Sequence, residues 1–104
     1  MAMPKKRYLF FTKVARKDID DTVDWYETQQ LGLGIGFKDA VNATSHLIAS
    51  NPFIGAPRHK TVRRILVEKF PYAIYYRTFK TVNKISVIGI LHARRHPRVW
   101  RSRV

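Results

Sequence analysis

Apolar positions along this chain change period twice, and each change marks a change of element. Arg7 to Phe11 is a short, aromatic, β-prone run that ends at Thr12, a residue suited to cap a helix. It predicts a first strand. From Lys13 to about Gln29 the apolar positions Ala15, Ile19, Val23 and Tyr26, with Thr22, recur at three- and four-residue spacing, while Asp20, Asp24 and Glu27 line another face. This is an amphipathic helix, with Arg16/Asp20 and Lys17/Asp21 at ion-pair spacing. Leu31 to Gly34 interrupts the pattern. Phe37, Ala40, Val41, Thr44, Leu47 and Ile48 then resume it up to Ser50, so a glycine turn joins two antiparallel helices. Asn51-Pro52 stops the second helix, and Gly55-Ala56-Pro57 is expected to keep the chain in a loop.

Beyond that loop the period becomes two. Val62 to Val67, Tyr72 to Phe79 and Lys84 to Leu91 read as strands, separated by Phe70-Pro71 and by the polar connection Lys80 to Asn83. Short links imply an antiparallel meander. In its middle strand Tyr72, Ile74 and Tyr76 share one face, while Ala73, Tyr75, Arg77 and Phe79 share the other. One face should receive the helices, leaving the arginine- and tyrosine-bearing face as the candidate binding surface. The expected architecture is a single α+β domain over residues 1–104: an N-terminal strand, a two-helix antiparallel hairpin, and a three-stranded antiparallel meander.

Composition narrows the function. A chain of 104 residues with 45% hydrophobic content holds one modest core and no second domain. There is no cysteine, which removes disulfides, thiolate metal sites and a cysteine nucleophile, and suits a reducing compartment. The apolar patch at Tyr8–Phe11 is too short for a signal-peptide core or a membrane span, so a cytoplasmic protein with no membrane partner is expected; the residues before it read as a loose tail. The formal net charge is +13, unevenly spread. Residues 51–104 hold thirteen basic side chains against the single acid Glu68, whereas residues 1–50 hold seven basic and six acidic ones. Such a field draws polyanions, nucleic acid or an acidic protein segment.

The densest chemistry lies between His92 and Arg103, where Arg94, Arg95, Arg98 and Arg101 accompany His92, His96 and Trp100. Guanidinium forks match phosphate or carboxylate oxygens, and an indole can stack on a base or anchor an interface. The competing structural reading folds Trp100 onto the core beneath a solvated basic tail. Arg63 and Arg64 alternate faces, so one of them can join the same surface. With Tyr75 and Arg77 these make the candidate partner-binding set: Arg63, Arg64, Tyr75, Arg77, Arg94, Arg95, Arg98, Trp100 and Arg101. Cleavage of RNA through a 2′-hydroxyl would need proton transfer, for which His92 and His96 are the suitable groups, beside a cation to stabilise the phosphorane. The first helix's carboxylates Asp18, Asp20, Asp21, Asp24 and Glu27 read as a solvated face. No phosphate-cradling glycine motif, zinc spacing or nucleophile triad is present, so neither metal nor cofactor is expected.

Taken in order, Ala15-x-x-Asp18-Ile19, Asp24-Trp25-Tyr26-Glu27, Gly32-Leu33-Gly34, Asn51-Pro52, Val62-Arg63-Arg64, Phe70-Pro71-Tyr72-x-Ile74-x-Tyr76 and His92-x-Arg94-Arg95-x-Pro97-x-x-Trp100 resemble the ParE/RelE toxin superfamily, the plasmid stabilisation system proteins, over nearly the whole chain. The resemblance implies a β-α-α-β-β-β toxin, an antitoxin that wraps it, and operator DNA bound only through the antitoxin complex. Relatives similar to ParE poison DNA gyrase and have no active site of their own. Those similar to RelE are endonucleases that cut mRNA on the ribosome, with arginines at positions matching Arg63 and Arg94. They carry a C-terminal tyrosine where this chain has Trp100, whose indole cannot cycle a proton as a phenol can. The ending is closer to the ParE branch, so the resemblance favours a gyrase inhibitor, with the mRNA endonuclease as the alternative and a non-toxic basic nucleic-acid or protein-binding module as the third reading.

Overall fold

The computed structural model describes residues 7–79, 82–95 and 97–104. The expected loose tail before Arg7, the first half of the Lys80–Asn83 connection and the candidate His96 lie outside them. The elements are β1 (Tyr8–Phe11), α1 (Lys13–Gln29), α2 (Leu33–Ser50), β2 (Ala56–His59), β3 (Val62–Leu66), β4 (Tyr72–Thr78), β5 (Lys84–His92) and the short α3 (Arg98–Arg101). One five-stranded sheet has the order β1-β5-β4-β3-β2. β1 runs parallel to β5, and the other neighbours are antiparallel. A parallel pair requires a crossover, and the α1–α2 hairpin supplies it, roofing one face of the sheet.

Local chemistry explains the helix ends. The Thr12 side chain accepts the Ala15 N–H at 3.2 Å, satisfying one of the free donors of α1. At the hairpin, Gly32 sits at φ +89°, a conformation that favours glycine, and its lack of a side chain leaves α2 without an ordinary cap. Glu27, the last acid of α1, fills that role. Its carboxylate accepts the N–H groups of Gly32 (3.1 Å), Gly34 (2.8 Å) and Ile35 (3.3 Å). The Gly32 hydrogen bond foremost, with those of Gly34 and Ile35, holds the Glu27 carboxyl below its ordinary value against the opposing effect of burial. α2 consequently begins at Leu33, before the apolar period resumes at Phe37. Gly34 lies where the helices touch: a Cβ there would come within 2.5 Å of the Val23 carbonyl oxygen.

The segment expected as a loop at Ala56-Pro57 is instead the edge strand β2, paired with β3 through Ala56↔Arg64, Pro57↔Arg63 and His59↔Val62, so the meander is extended by one strand. Proline lacks the N–H that a central strand must donate, but an edge strand leaves alternate donors unused. Composition therefore hides this strand.

Two layers of apolar side chains sandwich the sheet. On the helix side, Ala15, Tyr26, Phe37, Val41 and Ile48 pack on Ile74, Tyr76, Ile85, Val87 and Ile90. Tyr26, Phe37 and Phe70 meet edge-on or tilted at 5.2–5.5 Å between ring centroids. On the opposite face a smaller cluster joins Val62, Ala73, Tyr75, Ile88, Leu91 and Trp100. A register shift in the β4–β5 ladder lets β5 serve both. Tyr75 pairs with Gly89 and Tyr76 with Val87, which leaves Ile88 as the extra residue of a bulge. Among the described residues, no helix is long and apolar enough to cross a membrane.

A candidate polyanion-binding face

The sheet face turned away from the helices is built around Trp100. α3 folds back over it and lays the indole on Tyr75, with ring centroids 5.4 Å apart and planes inclined by 19°. Trp100 is 4% exposed and Tyr75 2%. Both were candidates for direct contact with a partner; their burial makes them the platform of the face instead. Burying an indole-sized side chain is worth roughly 4–6 kcal/mol as an upper figure, enough to hold a four-residue helix in place.

Basic groups ring that platform. Arg64 lies with its guanidinium carbon 5.8 Å from the Tyr75 ring centre and donates to the Ala93 carbonyl at 3.2 Å, tying β3 to the turn after β5. Arg101 stands 5.4 Å over the Trp100 ring. Arg77 lies opposite Val62 and Ser86 in the ladder, hence on the same face, with its guanidinium 5.5 Å from the Phe79 ring centre. Its Nε is buried without a hydrogen-bond partner. A desolvated, unsatisfied donor on a cation is costly unless something completes it. His59, which sequence reasoning did not single out, also reaches this face, 6.4 Å from Trp100 between ring centroids.

The remaining candidates divide. Arg63 lies on the helix side of the sheet, where it donates to the carbonyls of Gly55 (2.7 Å) and Phe53 (3.3 Å). It is therefore Arg64, and not Arg63, that shares a face with the C-terminal arginines. Arg94 and Arg95 occupy an exposed turn fixed by His92: the Arg94 N–H reaches His92 Nδ1 at 3.2 Å, and the Arg95 N–H reaches the His92 carbonyl at 2.9 Å. His92 itself packs edge-on against Tyr72 on the helix side. A cleft of about 170 Å³ there gathers Asp18, Asp21, Tyr72, His92 and Arg95. Arg98 is exposed on α3. The structure thus unites Arg64, Arg77 and Arg101 with the Tyr75–Trp100 platform, and separates Arg63 from Arg94.

Two acids of α1 are not the solvated groups that their spacing suggests. Glu27 caps α2, and Asp18 forms an ion pair with Arg103 at 2.6 Å across the β5 bulge. Lys17 and Asp21 do form the expected exposed pair at 3.0 Å, whereas Arg16 and Asp20 do not pair.

A second surface is apolar. Leu33, Ala40, Ala43, Leu47 and Phe70 line a groove of about 600 Å³ between α2 and the β3–β4 turn, rimmed by Asp39, Glu68 and Lys69. Leu47 is mostly exposed in it, and Ile35 and Leu31 stand exposed nearby.

Comparison with known proteins agrees with this architecture. The family model of the ParE toxin of the type II toxin–antitoxin system parDE matches residues 9–97. No curated protein matches by sequence at a significant level. Among solved structures, the chain is similar to a component of the chromosomal ParDE toxin–antitoxin system from P. aeruginosa, with a TM-score of 0.72 at 19% identity over 84% of this chain and 96% of that one. It is also similar to a chain of the RelBE2 toxin–antitoxin complex from Mycobacterium tuberculosis, with a TM-score of 0.61 at 17% identity over 85% of this chain and 99% of that one.

Proposed function

The chain belongs to the ParE toxin family of type II toxin–antitoxin systems, and from that premise we propose that it inhibits DNA gyrase and is neutralised by a cognate antitoxin. The observation that carries the reading is the face formed by Arg64, Arg77 and Arg101 around a buried indole–phenol stack. It is a rigid cationic surface, suited to clamping a polyanion rather than to cycling protons, because arginine stays protonated. In this reading the protein stabilises a gyrase–DNA intermediate by binding, with no active site of its own. The apolar groove along α2 receives an amphipathic antitoxin segment, and an acidic stretch of the same partner covers the arginines. Operator DNA is bound through the antitoxin.

Expression without the antitoxin should stop DNA synthesis before protein synthesis, and the purified protein should inhibit supercoiling. Gyrase left fully active by a large molar excess of toxin would end this reading. One observation favours the alternative, a ribosome-dependent mRNA endonuclease: His59 stands beside Trp100 on the arginine-bearing face, an imidazole where proton transfer to a phosphate-bound substrate would need one. In that case translation should stop first, with cuts in phase with codons.

A further inference from the structure

We propose that a cleft on the helix side of the sheet, separate from the arginine face, binds single-stranded nucleic acid. The cleft has a volume of about 350 Å³ and lies between the α2–β2 loop, the β2–β3 turn and the end of β4. Arg7, Lys60 and Arg63 converge on it, Phe53 and Phe79 line it, and among the described residues no carboxylate does.

The cleft is held in shape by its own hydrogen bonds. The Tyr76 hydroxyl donates to the Pro52 carbonyl at 2.8 Å and accepts the Gly55 N–H at 2.9 Å. A single Arg63 nitrogen donates to both Phe53 and Gly55, with the guanidinium carbon 5.0 Å from the Phe53 ring centre. The loop therefore presents Phe53 in a fixed place, although its side chain is 62% exposed. The other Arg63 nitrogens make no hydrogen bond among the described residues and are free for an anion. Lys60 is set at the tip of the β2–β3 turn with φ +51°.

Cations without acids select a polyanion, and partly exposed phenyl rings beside them select one whose flat groups can stack. A duplex keeps its bases stacked inside, so it offers these rings nothing; a single strand offers both phosphate and base face. An acidic peptide would satisfy the charges but would leave the rings without planar partners. Phe79 extends the surface, because it lines this cleft and also carries Arg77 of the opposite face.

The test uses the purified full chain and fluorescence anisotropy with short labelled oligothymidylate or oligouridylate, their duplex counterparts, and a polyglutamate of equal charge. Phe53→Ala should weaken single-strand binding at least about fivefold, the size of one lost base–aromatic stack. Lys60→Asn, chosen because asparagine tolerates positive φ, should reduce the salt dependence by about 0.7 of a unit slope. Both side chains are exposed, so thermal melting of the variants should match the parent and exclude misfolding as the cause. Unchanged affinity in Phe53→Ala overturns the proposal. So does a polyglutamate or duplex that binds as tightly as the single strand, or an Arg101→Ala loss equal to that of Phe53→Ala, which would mark diffuse attraction by the whole surface.

Discussion

Arg103 and Asp18, 85 positions apart in sequence, close the exposed margin of β5 where β1 ends: the guanidinium donates to both carboxylate oxygens, at 2.6 and 3.3 Å. The same two side chains take over the ladder partners that β1 no longer supplies. Asp18 Oδ2 accepts the Ile90 N–H at 3.1 Å, and Arg103 donates to the Ile88 carbonyl at 3.1 Å. Gly89 belongs to this arrangement, since a Cβ there would meet the Arg103 guanidinium at 2.6 Å. The pair thus fastens the C-terminal segment, and with it Trp100, to helix α1.

Breaking that pair should cost more than an ordinary surface ion pair, because both side chains are less than one-fifth exposed. Asp18→Ala should lower stability to urea by about 2–3 kcal/mol, with Arg103→Ala close behind. The double variant should fall short of the sum by about 1 kcal/mol or more. Additive losses, each below about 0.5 kcal/mol, would show that the contact contributes little.

Arg77 should behave in the opposite sense. Its Nε is buried with no partner, so Arg77→Met removes an unsatisfied donor while keeping an apolar stem in its place. Thermal unfolding should be unchanged or shifted upward. Toxicity on antitoxin-free expression should fall at least about tenfold, the loss of one charge-assisted contact. A variant that is fully toxic would remove Arg77 from the binding face.

Glu27 makes stability depend on acid. Hydrogen bonds from Gly32 and, secondarily, from Gly34 and Ile35 depress its folded-state pKa below the ordinary 4.5. Its contribution is therefore fully present above about pH 4.5 and is lost as the pH falls through the folded value. Glu27→Gln should be less stable than the parent at neutral pH, and the gap in urea midpoints should narrow below pH 4.5. A gap that stays constant down to acid unfolding would contradict the assignment.

Two glycines two positions apart should respond with opposite signs. Gly34→Ala forces a Cβ against the Val23 carbonyl at 2.5 Å and the Glu27 side chain at 2.8 Å, and should cost about 2 kcal/mol or more through separation of the helices. At Gly36 there is open space, so Gly36→Ala should gain about 0.5–1 kcal/mol from helix propensity. Paired melting curves would decide; equal shifts in one direction would show that the helix crossing is looser than described.

Periodicity makes α1, α2 and the three inner strands legible, because each has one buried stripe or alternates against a packed face. β2 is illegible for the converse reason: Ala56 to His59 are all exposed, and their pairing is set by β3 rather than by their own pattern. The burial of Trp100 depends on a bulge that turns Ile88 toward it, a register detail that no local pattern reveals. Asp18 and Glu27 look like solvent-facing acids because their partners are contributed by other elements. Arg63 and Arg64 are correctly expected on opposite faces, but only the position of Ala93 decides which of them meets the C-terminal segment.

The parallel pairing of β1 with β5 also sets a timetable for synthesis. Tyr8–Phe11 leave the ribosome well before their ladder partners, residues 84–87, so the first strand must wait until those residues are made. Closing so long a loop is entropically costly and is repaid only when the last strand arrives. A nascent copy that has not yet reached residues 84–87 therefore has neither a finished sheet nor an assembled arginine face.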